Sequence, residues 1–161
     1  MRYKNFWWSY IYIYTFIFYV IIDRISKWWA FNYLYGKEEQ VLPFLNLNFS
    51  WNKGISWGLF NSFNPLTFYL LTFSIAIIIV LFFAYTLCEH RRGSIVIYEV
   101  VLLSGAVSNF IDRIIYGAVI DFLDFHAFGY HWPTFNLADS FIVLGAIGII
   151  LKGLGWISSK K

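Results

Sequence analysis

Charge is what this chain has least of. Asp, Glu, Lys and Arg make up 13% of its 161 residues, about half the share of a soluble domain, which is roughly 25%. Together with a mean hydropathy of +0.62, that deficit excludes an ordinary soluble domain and places the chain among membrane proteins. The single cysteine, Cys88, excludes an intrachain disulfide. Beside Glu89, His90, Arg91 and Arg92 it reads as a surface thiol, not as a nucleophile. Proline is scarce too, with 3 residues, and Pro65 and Pro133 fall near the ends of connecting segments. No basic patch interleaved with aromatics occurs, which excludes nucleic-acid binding. The net charge of +3 comes partly from terminal Lys and Arg and speaks to orientation in a membrane. A His-Glu-x-x-His zinc arrangement is missing as well, so His126 and His131 read as interfacial loop residues, with no metal and no other cofactor expected. No repeat or low-complexity linker divides the chain.

What is abundant is apolar and aromatic. Hydrophobic residues reach 60%, with 8 Trp, 12 Tyr and 18 Phe. Trp and Tyr favour membrane–water interfaces, so most read as anchors. The first apolar stretch begins near Phe6 and runs to Ile22. It lacks a small-residue cleavage site and continues into Asp23-Arg24-Ile25-Ser26-Lys27, so it reads as a retained helix over about 6–30 rather than a signal peptide. Further apolar segments cover about 66–87, 95–116 and 136–154, each long enough to span a bilayer. Between the first two, Leu45, Leu47, Phe49 and Trp51 alternate with Asn46, Asn48, Ser50 and Asn52. That period of two predicts a half-buried strand in an outer β segment over about 41–58, with Trp51 and Trp57 as membrane anchors. The expected fold is all-α: a four-helix transmembrane bundle forming one domain over 1–161, with a small extracytoplasmic β element between helices one and two. Four spans put both termini on one side, which carries Arg2, Lys4, Arg91, Arg92, Lys152, Lys160 and Lys161. By the positive-inside rule that side is cytoplasmic.

The polar residues gather at the opposite boundary. Carboxylates near a bilayer are costly and are functional candidates by default. Asp121 and Asp139 flank the loop over 117–135 and reach the same depth, as a pair that activates water would. Asn136 suits a helix N-cap, with Asp139 in the first turn, where the helix dipole favours its ionised form. Capping explains one carboxylate but not two. In the third segment Ser104, Ser108 and Asp112 share a face, with Gly105, Asn109 and Arg113 in the adjacent row. Such a face turns into the bundle. Asp112 and Arg113 read as a charge-compensated pair. Asp23 and Lys27, four apart, read as a structural ion pair. Asp121 and Asp124 share a face if their stretch is helical. A second reading uses the same charges in a small transporter or proton relay. The clustering at one boundary and the uncharged run from Gly54 to Cys88 argue against it.

These residues resemble the lipoprotein signal peptidase (signal peptidase II) family of aspartic membrane proteases, over nearly the whole chain. The likeness rests on Asp23-Arg24-Ile25-Ser26-Lys27, Asn52-Lys53-Gly54 through Gly58, Asn109-Phe110-Ile111-Asp112-Arg113 with Gly117, Val119, Asp121 and Phe122, and Phe135-Asn136-Leu137-Ala138-Asp139. Any one motif is weak; four in order and spacing are strong. Ser104 and Ser108 stand where the family tends to have glycine, and Ile55-Ser56-Trp57 departs from its usual Ala-Ala-Phe. The resemblance implies a catalytic pair at Asp121 and Asp139, with Asn52, Gly54, Asn109, Asp112, Arg113 and Asn136 lining or shaping the site. It also implies cleavage of prolipoproteins just before a diacylglyceryl-modified cysteine, in the bacterial inner membrane. The partners expected are that lipid-modified substrate and membrane lipid, with the enzyme a monomer.

Overall fold

A computed structural model describes residues 2–54 and 65–158. Four helices, α1 (Arg2–Tyr33), α2 (Pro65–Arg91), α3 (Ile97–Tyr116) and α4 (Leu137–Gly153), carry a sheet of four strands, β1 (Glu38–Leu42), β2 (Leu45–Asn52), β3 (Val119–Ala127) and β4 (Tyr130–His131). The expected bundle with a hairpin between its first two helices is what forms. α1 and α2 run a few residues beyond the apolar segments that announced them, because Tyr and polar residues extend a helix into the interface without breaking it, whereas α3 begins two residues later than expected and α4 is one residue shorter at each end.

α3 is the centre of the bundle and packs against α1, α2 and α4. Small residues let its neighbours come close. A Cβ on Gly105 would collide with the carbonyl oxygen of Ala138 in α4, and one on Gly145 of α4 would meet Leu102 at 2.7 Å. By contrast, α2 turns its apolar residues outward: Phe73, Val80 and Leu81 are each about two-thirds exposed. Large apolar patches open to water are rare on soluble monomers. Among the described residues, Leu66–Arg91 is the one helix long and apolar enough to cross a membrane by length and composition alone.

The sheet order is β1-β2-β3-β4, antiparallel throughout. Here the structure corrects the sequence reading. The stretch over 117–135, expected as a loop, holds β3 and β4, and β3 joins the hairpin that precedes α2. Asp121 and Asp124 therefore lie on a strand, where residues three apart point to opposite faces. Gly117 caps α3 in the left-handed conformation (φ 66°), its N–H donating to the Arg113 carbonyl. That turn starts β3 two residues later and aims it at β2. β2 is half-buried along nearly its whole length, with a register shift against β3 between Leu47 and Ser50, and its polar residues do not form a wet face. Asn46 is buried, and Asn48 and Asn52 turn toward carboxylates on β3. The apolar face, Leu47, Phe49 and Trp51, packs with Ala30, Leu34, Ile120 and Phe122, joining the end of α1 to the sheet. Trp51, expected as a membrane anchor, is half-buried against Phe31, Phe49 and Tyr116. Trp57 and Gly58 lie outside the described residues.

Candidate active site

The site forms where the ends of α1, α3 and α4 meet β2 and β3. Asn136 is its hub. It caps α4 with a full capping box: its Oδ1 accepts from the Asp139 N–H (2.9 Å), while its own N–H donates to Asp139 Oδ2 (3.2 Å). The side-chain Nδ2 points the other way and donates to Asp121 Oδ1 (2.6 Å), to the Ile120 carbonyl (3.1 Å) and to Asn109 Oδ1 (3.1 Å). One asparagine thus holds both carboxylates. β3 is brought to it because the Phe135 carbonyl accepts from the N–H groups of Phe122 and Leu123.

The remaining donors complete the pair. Asn52 Nδ2 donates to Asp121 Oδ2 (2.9 Å), and Asn109 Nδ2 donates to Asp139 Oδ1 (2.8 Å). All four carboxylate oxygens accept an N–H. Asp121 is 1% exposed, while Asp139 is only half-buried. Burial first, then the charge of Asp139, push the Asp121 carboxyl up to about 7, against the opposing pull of the Asn52 and Asn136 amides and of Lys27. Two carboxylates held in such different surroundings, one buried on a strand and one in the first turn of a helix, have the asymmetry that acid–base work requires.

Asp139 opens onto a cavity of about 280 Å³ that Asn52, Ile75, Ala106, Asn109, Arg113, Val119, Ile142 and Val143 also line. Its walls are amide, guanidinium and aliphatic, the mixture that suits a peptide carrying an apolar group. A larger cavity of about 520 Å³ lies among α1, α2 and α3 with a mostly apolar lining, and none of the candidate site residues reaches it.

The other expected residues fall as follows. Asp23 and Lys27 do pair (2.8 Å), both fully buried. Asp112 does not pair with Arg113; adjacent helix residues point about 100° apart. Asp112 instead pairs with Lys27 (2.9 Å) and with Arg24, and accepts from the Ile120 N–H (3.3 Å). Arg113 reaches the carbonyls of Asn109 (3.2 Å) and Gly54 (3.1 Å), which ties α3 to the end of β2 and gives Gly54 its place. The Ser108 hydroxyl donates to Asp23 Oδ2 (2.6 Å), and Asp23 Oδ1 accepts from the Ala138 N–H (2.8 Å). His126 and His131, expected in a loop, sit on paired strands with stacked rings. His131 faces Asp124, and His126 faces Asn46. Among the described residues no cluster of three or more His, Cys, Asp or Glu is placed to hold a metal ion. Sequence reasoning missed two partners. Arg24 joins the Asp112 cluster from α1, one residue from the noticed Asp23. Glu99, fully buried, pairs with Lys152 at the other end of α3. A lone Glu in an apolar run was the signal for the second.

Comparison with known proteins shows the family. A family model described as Signal peptidase (SPase) II matches residues 15–154. The lipoprotein signal peptidase of Rickettsia typhi is 40% identical over 145 residues, covering 88% of this chain and 72% of that protein. That of Blochmanniella pennsylvanica is 36% identical over 154 residues, covering 94% and 90%. A solved structure described as a bacterial membrane enzyme is 36% identical with a TM-score of 0.69, covering 90% of this chain and 88% of that one.

Proposed function

The chain belongs to the signal peptidase II family, and from that premise we propose that it removes signal peptides from prolipoproteins by hydrolysis just before a diacylglyceryl-modified cysteine, with Asp121 and Asp139 as the catalytic pair. The observation that carries this reading is the double hold of Asn136 on the two carboxylates, one buried and proton-retaining, the other open to the cavity.

The chemistry follows from that asymmetry. Asp139, ionised, takes a proton from a water in the cavity as the water oxygen bonds to the scissile carbonyl carbon. Asp121 gives its proton to the carbonyl oxygen, so no full oxyanion forms. Asp139 then returns its proton to the departing amine nitrogen as the C–N bond breaks, and Asp121 recovers one from the geminal diol. A new carboxylic acid and a free amine on the lipidated cysteine result, with the pair restored. Asn52 and Asn109 hold the carboxylate planes, and the Arg113 guanidinium keeps the cavity positive beside them. No cofactor enters.

A lipidated cysteine partitions into the bilayer, so its peptide bond lies near the interface and the pair must lie there too. The outward apolar faces of α1, α2 and α4 support a reading in which all four helices span the inner membrane. Both termini are then cytoplasmic, and the sheet and the site lie at the outer face. The protein acts as a monomer and one peptidase domain. The test is direct. Purified protein in lipid, given diacylglyceryl-modified prolipoprotein, releases a product whose mass places the cut before that cysteine. No cleavage, with ion flux through protein-bearing liposomes, would support the transporter reading instead.

A further inference from the structure

Lys27 is fully buried and spends all three of its N–H donors. Two go to Asp23 Oδ2 (2.8 Å) and Asp112 Oδ2 (2.9 Å). The third goes to a neutral group, Asn109 Oδ1 (2.7 Å). A structural ion pair explains the first two and not the third. The third has a consequence. An ammonium has no acceptor, so it tolerates only the oxygen of an amide against it. Asn136 Nδ2 presses the same oxygen with a second donor (3.1 Å). With its oxygen so held, Asn109 can present only its nitrogen to Asp139, and it does, at 2.8 Å.

Resting on the reading of Asp121 and Asp139 as the catalytic pair, we propose that Lys27 is a positioning residue for the reaction: it fixes the amide of Asn109 so that Asp139 is held to take the proton of the attacking water on the cavity side. The chain of contacts crosses α1, α3 and α4 without a gap: Lys27, Asn109, Asp139. The neighbouring elements bring further charges to this end of the bundle: Asp23 and Arg24 from α1, Asp112 and Arg113 from α3, Asp121 from β3. Within Asp23, Asp112, Arg24 and Lys27 the formal charges balance, two against two.

The experiment compares cleavage by the parent, Lys27→Arg, Lys27→Met and the double variant Lys27→Met/Asp23→Asn, each across pH with kcat and KM measured separately. The single Met variant leaves Asp23 and Asp112 under-compensated; the double variant restores the balance and keeps an oxygen for the Ala138 N–H. The double variant is expected to lose about 10- to 100-fold in kcat with little change in KM, the scale of a misplaced reacting group. Its alkaline limb moves to higher pH, because Lys27 opposes proton retention by Asp121. Lys27→Arg keeps the charge and a donor toward Asn109, and therefore keeps the parent's limb even where its kcat falls. A double variant with kcat within about threefold of the parent and an unmoved limb makes Lys27 a structural ion pair only. A limb that moves in Lys27→Arg overturns the proposal as well. A parent that does not cleave at all refutes the proposed function instead, so the two failures are distinct.

Discussion

A carboxyl group that is 1% exposed and accepts two amide donors has no water to stabilise its charge, and Asp121 is such a group. Its proton is retained to about 7, compared with 3.8 for a free side chain. Two outcomes follow. In the proposed mechanism cleavage requires that proton, so kcat/KM falls as pH rises through about 7, tenfold per unit above it; a flat profile to pH 9 would contradict the assignment. Stability moves in the same direction. Between about pH 4 and 7 the folded chain binds a proton that the unfolded chain releases, so stability declines as pH rises through that window and levels off above it. Asp121→Asn does not titrate. Its thermal stability relative to the parent therefore improves between pH 4 and 7, by at most about 4 kcal/mol, and is constant above; calorimetry in one detergent checks this. Asn136→Ala removes the side-chain cap on the Asp139 N–H and the Nδ2 donor to Asp121, while the backbone N–H that donates to Asp139 remains. It should cost about 1–3 kcal/mol and lower kcat by about 100-fold, read by melting and by initial rates.

At the level of elements, α3 is gripped near its middle and at its N-terminal end, and the grips differ in purpose. Near the site, Gly105 lets the first turn of α4 lie against it. Gly105→Val drives a side chain into the Ala138 carbonyl and should cost about 1–3 kcal/mol, with cleavage falling because Asp139 is one residue from the collision. At the far end, Glu99 and Lys152 form a buried pair. Glu99→Ala leaves Lys152 uncompensated and should cost about 3–5 kcal/mol, yet the folded fraction should keep the parent's KM and pH profile. A shifted profile in that variant would contradict the separation of the two grips. Much of this was legible in the sequence and some was not. The four-residue spacing of Ser104, Ser108 and Asp112 announced a buried face, and all three are fully buried. Asn136 announced a cap. The partner of Asp112 was misread, because adjacency in sequence suggested Arg113 while helix geometry sends the two side chains apart. β3 was missed because its pairing partner lies about seventy residues earlier, and Asp121-Phe122-Leu123-Asp124 alone shows no period of two.

For the molecule as a whole, composition alone read the membrane class, since a 13% share of charge leaves little else for the outer surface. The orientation of the polar face of β2 was not legible. A polar row on a half-buried strand usually meets water, whereas here Asn48 meets Asp124 and Asn52 meets Asp121 on either side of a register shift between Leu47 and Ser50, and only long-range pairing decides that. The proposed topology makes its own prediction. In a Cys88→Ser background, Tyr130→Cys reacts with a membrane-impermeant thiol reagent from outside the cell, and Arg92→Cys only after the cytoplasmic face is opened. Both reacting from one side would contradict a site at the outer face.

The most direct test of the central claim, that Asp121 and Asp139 work as one catalytic pair, is single-turnover cleavage by Asp121→Asn, Asp139→Asn and the double variant, each shown to be folded. Residues that act as a unit do not add. Each single variant is expected to lose about 10⁴-fold or more in rate, and the double variant should be no slower than the slower single. A folded single variant that cleaves within about tenfold of the parent, or losses that multiply in the double, would contradict it.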